Sequence, residues 1–432
     1  MSAPGRALPW WQTLWRYALF EAADSAWSLI VVSTYFGAYV QTTLRLPAAS
    51  FGWAVTAAAL VIALASPVLG AAADETGRRQ PYLRVVVAGV VACTALLGAL
   101  RAPWAALPAF MLAYVCANAA FTFFTAIIPA VSTVGSVVMT VTLSVGVGYI
   151  GGLVSLIALS RLVPAGGDVG GVFLPMALVY AGFALPVLLA SPDFPRRAGG
   201  RAGLSAPYRR LRATFAAARR HRHLFVFLVG DFLYENAVAS VITVMGLYAR
   251  NVMGFPADAL ETVFGPAIVI AALSAWFLYR PLIRRIGPKR AVLFVLSLWL
   301  VTFAAVVVIG PHFVLRLGPV VAGAKGLFVA VVAPLAGMGL AGVWSASRVL
   351  LTALTPAAES GEFWGLYNLS GRTASVLGDA TWSALLTMFG EGILGYRLAV
   401  AALAVYVVLG AWCILLLPDV RPSAGNFVGG AA

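Results

Sequence analysis

The sequence predicts an all-α membrane protein of twelve transmembrane helices, arranged as two pseudo-symmetric six-helix halves. Three observations carry that reading: a composition too apolar for water, apolar runs of spanning length along the whole chain, and landmarks that repeat at nearly one offset. Of 432 residues, 62% are hydrophobic and only 10% charged, where a soluble domain carries roughly a quarter charged.

A helix needs roughly 20 apolar residues to cross a hydrocarbon core of about 30 Å. Runs of that kind place helices 1 to 12 at 15–42, 50–73, 82–101, 104–128, 137–162, 172–190, 223–249, 260–283, 290–310, 323–351, 363–388 and 396–417. The pattern is weakest at 310–325, between helices 9 and 10. The runs are continuous rather than alternating, and backbone polar groups in lipid must be satisfied within a helix or a closed barrel, so a β-barrel is excluded. The polar start, Met1 to Gln12 with Arg6, lacks the layout of a cleavable signal, so the first run is expected to stay as helix 1. Cys93, Cys116 and Cys413 fall inside apolar runs without metal-type spacing, which reads as packed thiols with no disulfide, metal or cofactor.

A net charge of +14 invites a nucleic-acid reading, but no recognition module accompanies it and its placement points elsewhere. With the N-terminus in the cytoplasm, the inner segments hold 20 of the 29 Lys and Arg. The outer ones hold only Arg45, Arg101, Arg161, Arg250, Arg316, Lys325 and Arg397. That asymmetry is the positive-inside bias and puts both termini in the cytoplasm. Arginine outnumbers lysine 27 to 2, the codon bias of a GC-rich bacterium, so the expected location is a bacterial cytoplasmic membrane.

The longest polar segment, 191–222, divides the chain into an N-terminal half (1–190), a basic linker, a C-terminal half (223–417) and a tail (418–432). Within the linker, Leu211, Phe215 and Ala218 share a helical face among arginines. This fits either a helix lying on anionic headgroups or a solvated connection. Duplication is visible in two places. Gly70 to Arg79 after helix 2 and Arg280 to Lys289 after helix 8 both carry glycine then a cation, 210 residues apart. Leu19-Phe20-Glu21 and Leu233-Tyr234-Glu235 lie 214 apart.

Five carboxylates fall well inside apolar runs: Glu21 and Asp24 in helix 1, Asp231 and Glu235 in helix 7, and Asp379 in helix 11. A charge at a helix centre costs about 2.5–3.5 kcal/mol on insertion scales, so such groups should face one another or a polar path rather than lipid. Spacings of three and four put each pair on one helix face. Asn368, Arg372, Ser375 and Asp379 form a stripe along helix 11 about 16 Å long. Milder stripes are Asn118, Thr122 and Thr125 in helix 4 and Ser345, Arg348 and Thr352 in helix 10. Two readings stay open: the carboxylates bind substrate or protons, with Arg372 modulating them, or they form a permanent ion-pair network holding the halves together. Arg348, near a helix end, reads as a snorkelling side chain. Gly146, Gly148, Gly151 and Gly152 read as a close-packing face of helix 5. His221, His223 and His312 stand outside the apolar runs with no nucleophile or metal cluster near them in sequence, so an enzyme is not expected. Nor do repeated loops suggest the selectivity rings of a channel.

Gly70-x-x-x-Asp74-x-x-Gly77-Arg78-Arg79 resembles the signature of the loop between helices 2 and 3 in the major facilitator superfamily. Phe20 to Ala26, Phe232-Leu233-Tyr234-Glu235-Asn236 and Glu362 to Arg372 look like the branch related to the vacuolar amino-acid effluxer of autophagy. That branch has Asp and Asn where Glu21 and Asp24 stand, and Asn-Asp at Glu235-Asn236; the superfamily's second acidic loop position is Arg284 here. The resemblance implies a monomeric secondary transporter that moves a small polar or zwitterionic solute by alternating access, coupled to protons, with helices 1, 4, 7 and 10 lining the path. On the functional reading of these charged and polar positions, substrate or proton binding falls to Glu21, Asp24, Asn118, Asp231, Glu235, Asn236, Asn368, Arg372 and Asp379. The resemblance also implies a gate of Asp74, Gly77, Arg78, Arg79, Arg284 and Glu362. Gly77 to Tyr82 is similar as well to the cation-coupled sugar symporters of the superfamily, and a non-transporting receptor is a further alternative.

Overall fold

The computed structural model describes residues 10–76, 79–131, 137–164, 168–189, 205–317, 320–355, 363, 366–367, 370–371 and 373–419. Among them, nine helices are long and apolar enough to cross a membrane. They are helix 2 (Ala48–Leu69), helix 3 (Gln80–Leu97), helix 4 (Pro103–Phe124), helix 6 (Val169–Leu189), helix 7 (Arg222–Asn251), helix 8 (Ala257–Ile286), helix 9 (Pro288–Val308), helix 10 (Ala324–Leu354) and helix 12 (Ile393–Leu415). Helix 5 is Val137–Ser160. Helix 1 runs from Trp10 to Thr42 through a π-helical stretch, Ser28–Tyr35. Helix 11 is Ser375–Phe389, preceded by scattered helical residues of 363–373. Each apolar run of the sequence thus contains helical residues among those described.

Large apolar side chains crowd the outside: Trp104 is 82% exposed, Phe277 76% and Val85 72%. Water would not tolerate such a surface and lipid does. With little hydrophobic drive between helices in lipid, close packing must hold the bundle, and the glycines show it. A Cβ on Gly148 would stand 2.8 Å from Ser25 Oγ and 2.9 Å from Glu21 Cγ. One on Gly151 would meet Ala22. So helix 5 lies against helix 1 through Gly148 and Gly151, whereas Gly146 has open space and Gly152 ordinary contact. Aromatic stacking fills the rest. Phe36 and Phe110 stack at 4.0 Å and Phe20 and Phe124 at 4.4 Å in the first six helices, and Trp382 meets Tyr396 edge-on in the last six.

We call the end carrying the linker the linker end and the opposite one the far end. The linker contains a helix, Ser205–Arg220. Tyr208 Oη donates to Leu64 O of helix 2 at 2.7 Å, Ala218 is buried, and Arg219 covers the Phe215 and Phe225 rings. Also at the linker end, Gly287 takes φ 83° between helices 8 and 9, a turn that favours glycine. Lys289 and Arg290 beyond it pair with Asp419.

The weakly patterned 310–325 segment folds into an antiparallel hairpin at the far end, β1 (Val314–Leu317) and β2 (Val320–Gly323). Nearby loops are tied by Asp168, which accepts from Gly170 N at 2.9 Å and Thr43 Oγ1 at 3.1 Å and pairs with Arg101. Partial burial works against its charge, yet the Gly170 amide, Arg101 and Thr43 together hold the Asp168 carboxyl below its ordinary value. Such stabilisation is present above the ordinary aspartate range, about pH 4, and fades as pH falls below it. Asp168→Ala is expected to lower stability by about 1 kcal/mol, the usual loss of a helix cap, in thermal unfolding at pH 7. The gap between variant and parent should narrow in acid.

Helices 1 and 2 meet helix 7 and the helix 11–12 turn at the far end. Arg250 Nη1 donates to Ala38 O at 3.2 Å, and Glu391 accepts from the Ala49 amide at 3.1 Å and Gln41 Nε2 at 3.3 Å. Ala49 lies in the first turn of helix 2, whose unsatisfied amides favour a carboxylate. Three close approaches accompany these bonds. A Cβ on Gly246 of helix 7 would strike the Ser33 carbonyl, one on Gly52 would strike Ser383 Oγ, and one on Gly37 would press on Leu247.

Candidate functional site

Helix 7 positions the central group. Asp231 lies about 14 Å along its rise from the linker end and Glu235 one turn further. Asp231 is fully buried, and its Oδ1 accepts from Tyr234 Oη at 2.6 Å. Tyr234 Oη in turn meets Ser347 Oγ of helix 10 at 2.7 Å. The Glu235 carboxyl lies beside Asp231 and against Gly371 of helix 11, where a Cβ would stand 3.1 Å and 3.2 Å from its oxygens. Two carboxyls one turn apart, one of them fully buried, repel when both are ionised.

Around this pair stand groups of the opposite sign and neutral donors. Arg348 of helix 10 lies near the Tyr367 hydroxyl, which is also in the field of Asp231 and Glu235. Arg348 and Glu21 both act on Tyr149 of helix 5. The structure therefore brings Glu21 of helix 1, Asp231 and Glu235 of helix 7 and Arg348 of helix 10 into one electrostatic neighbourhood, linked by Tyr149, Tyr234 and Tyr367. Arg348 is exposed, and its guanidinium also lies near Tyr367. The tyrosines were not singled out in the sequence, where a lone Tyr in an apolar run carries no periodic signal.

Other expected residues go elsewhere. Asp24, three residues beyond Glu21, acts on Tyr180 of helix 6, so the helix 1 carboxylates serve different neighbours. The 60° between positions three apart, with helices packed all round, suffices to separate them. Asn118 turns back on its own helix: Nδ2 donates to Tyr114 O at 3.0 Å, while Asn118 O accepts from Thr122 Oγ1 at 2.8 Å. Asn236 is fully buried, and its Oδ1 accepts the Gly378 amide in the first turn of helix 11. It supplies from helix 7 an acceptor that Ala374, the residue capping helix 11, does not provide. Asp379 is buried higher in helix 11. Arg284 is exposed at the linker end of helix 8, beside Arg280 and Arg285. Asn368, Arg372 and Glu362 lie outside the described residues, as do Gly77, Arg78 and the side chains of Asp74 and Arg79. Among the described residues, no group of three or more His, Cys, Asp or Glu could hold a metal ion.

A bundle of membrane-length helices enclosing charged groups of both signs fits the architecture of a major facilitator transporter, and the comparisons agree. The nucleoside transporter NupG superimposes with a TM-score of 0.72 at 14% identity, over 94% of this chain and 98% of that one. A POT family transporter solved with 5-aminolevulinic acid gives 0.68 at 12% identity, over 94% and 96%. By sequence, the MFS-type transporter YxiO of Bacillus subtilis (strain 168) is 22% identical over 423 residues, 93% of this chain and 94% of that protein. Residues 132–423 match the family described as vacuole effluxer Atg22 like, and the chain belongs to that family.

Proposed function

We propose that this protein is a proton-coupled secondary carrier of a small polar or zwitterionic solute, working by alternating access in a bacterial cytoplasmic membrane with the linker end inside. One observation carries the reading: Asp231, Glu235, Glu21 and Arg348 share one neighbourhood between the halves. A substrate with both charges finds a partner for each there, and a carboxyl pair can trade a proton against it. The bonds that Arg250 and Glu391 make across the far end support an inward-facing state. The basic excess at the linker end supports the orientation. The likeness to a nucleoside transporter and to a POT family transporter solved in complex with 5-aminolevulinic acid, a polar molecule, is consistent with the substrate class.

In this reading the halves 1–190 and 223–417 rock as a monomer about the shared site. The linker 191–222 lies along the inner leaflet, and Asp74, Gly77, Arg78, Arg79, Arg284 and Glu362 form the inner gate. Purified protein in liposomes is expected to build a solute gradient when a pH gradient is imposed, and to lose it when an uncoupler is added. A panel of amino acids, short peptides, nucleosides and sugars identifies the solute. Uncoupler-insensitive accumulation, or none for any member of the panel, overturns the reading.

A further inference from the structure

Helix 11 buries one more carboxyl, well away from Arg348. Asp379 is 0% exposed, and neither Oδ1 nor Oδ2 receives a well-formed hydrogen bond. Nearest to it are the hydroxyls of Ser375, one turn back, and of Ser240 on helix 7. Both hydroxyls face the Asp379 carboxyl without well-formed hydrogen-bond geometry, and Asn236 Nδ2 is buried with no partner among the described residues. Gly378 lets these groups converge: a Cβ there would strike Ser240 Oγ and stand 2.8 Å from Asn236 Oδ1.

Five buried polar atoms that make no well-formed hydrogen bond among the described residues gather at one helix crossing, where apolar packing would leave each short of the bonds it has in water. No cation compensates the carboxyl among the described residues. Helix 2 packs on this face of helix 11 through Gly52 and Ser383 and has no ionisable residue between Ala48 and Leu69. Helix 12 contributes Tyr406, bonded to Thr381, and Tyr396, which accepts from Asn251. Helix 7 contributes Glu235 and Asp231, of the same sign, nearer the linker end. Glu235 sits at Gly371, eight residues and about 12 Å of helix rise from Asp379. Arg372, on the same helix, lies outside the described residues.

We propose that Asp379, with Ser240, Ser375 and Asn236, is a proton-binding site, the far-end station of a coupling path whose other station is the Asp231–Glu235 pair. The donor set selects a proton over a sodium ion. Asn236 Oδ1 is already committed to the Gly378 amide, leaving its Nδ2 as a donor, and a metal ion wants only acceptors. A protonated carboxyl suits all four groups, because its O–H donates to one serine while its carbonyl oxygen accepts from the other serine and from Asn236. Acid chains of this kind are how buried carboxyls carry protons through membranes. The path rests on the carrier reading, but the site can be tested without any solute.

The test is infrared spectroscopy of the purified protein in phosphatidylcholine vesicles at neutral pH, following the carbonyl stretch of protonated carboxyls. The wild type is expected to show a component that D379N, which keeps the shape but has no such proton, loses. S240A, which removes one hydrogen bond, is expected to shift that component in frequency, and choline should substitute for sodium without effect. An unchanged carboxyl band in well-folded D379N overturns the proposal, and so does a component that appears only when sodium is removed. If the band behaves as expected while no solute on the panel is carried, the site stands and the carrier reading fails.

Discussion

Glu235→Gln is expected to abolish accumulation driven by a pH gradient while leaving solute exchange measurable. The amide has the size and shape of the carboxyl, so the contact with Gly371 and the crossing of helices 7 and 11 survive. The exchangeable proton is lost, and with it the repulsion of Asp231 one turn away. Removing one of two like charges from a desolvated pair relieves strain, so thermal stability should hold or rise. Loss of uphill transport with stability intact therefore points to coupling rather than folding. The measurement is uptake and counterflow in the same vesicle preparation. Wild-type accumulation in the variant would remove Glu235 from the coupling path.

Gly246→Val acts on the other side of the cycle. Gly246 allows helix 7 to rest on the Ser33 carbonyl of helix 1, and a branched side chain cannot fit against another helix's backbone without parting the two. Overpacking of this kind costs about 1–3 kcal/mol. Here the cost falls only on the state in which the far end is shut, because Ser33 and Gly246 belong to different halves. The conformational equilibrium should then move by roughly ten- to a hundredfold toward the open far end, at about 1.4 kcal/mol per factor of ten. A cysteine placed at Ala38, buried at the seal, reports this through its labelling by a membrane-impermeant maleimide. The three native cysteines, all free thiols, are first replaced by alanine. Labelling is expected to rise in Gly246→Val, and unchanged labelling with normal expression would mean that the crossing does not gate access.

The helices were legible because lipid leaves the chain no choice: a run that is apolar for long enough must satisfy its own backbone, and ends where polar residues resume. What escaped was local departure from regularity. The π-helical stretch Ser28–Tyr35 has side chains as apolar as an α-helix needs. The hairpin of β1 and β2 occupies a segment too short and mixed to declare itself. Carboxylates in the site were easy to find, since a charge in an apolar run is conspicuous, but their partners were not. Glu21 and Asp24 divide between helices 5 and 6, a choice made by neighbours rather than by spacing. That Arg348, exposed near a helix end, also lies near Tyr367 follows from tertiary packing rather than from spacing. Asn236 has the same cause: an acceptor is missing in the first turn of helix 11, and no property of helix 7 alone announces that helix 7 will provide it.

The far-end seal is made mostly of shape. Gly246 on Ser33, Gly37 on Leu247 and Gly52 on Ser383 are contacts of backbone and neutral side chains. Its polar bonds run to a carbonyl and an amide rather than between two ions. Attraction between exposed charges weakens as salt shortens the Debye length, whereas steric fit does not. The ionic strength of the surrounding medium therefore has little hold on how readily this side opens. A latch of this design keeps the same stiffness in dilute and in saline surroundings.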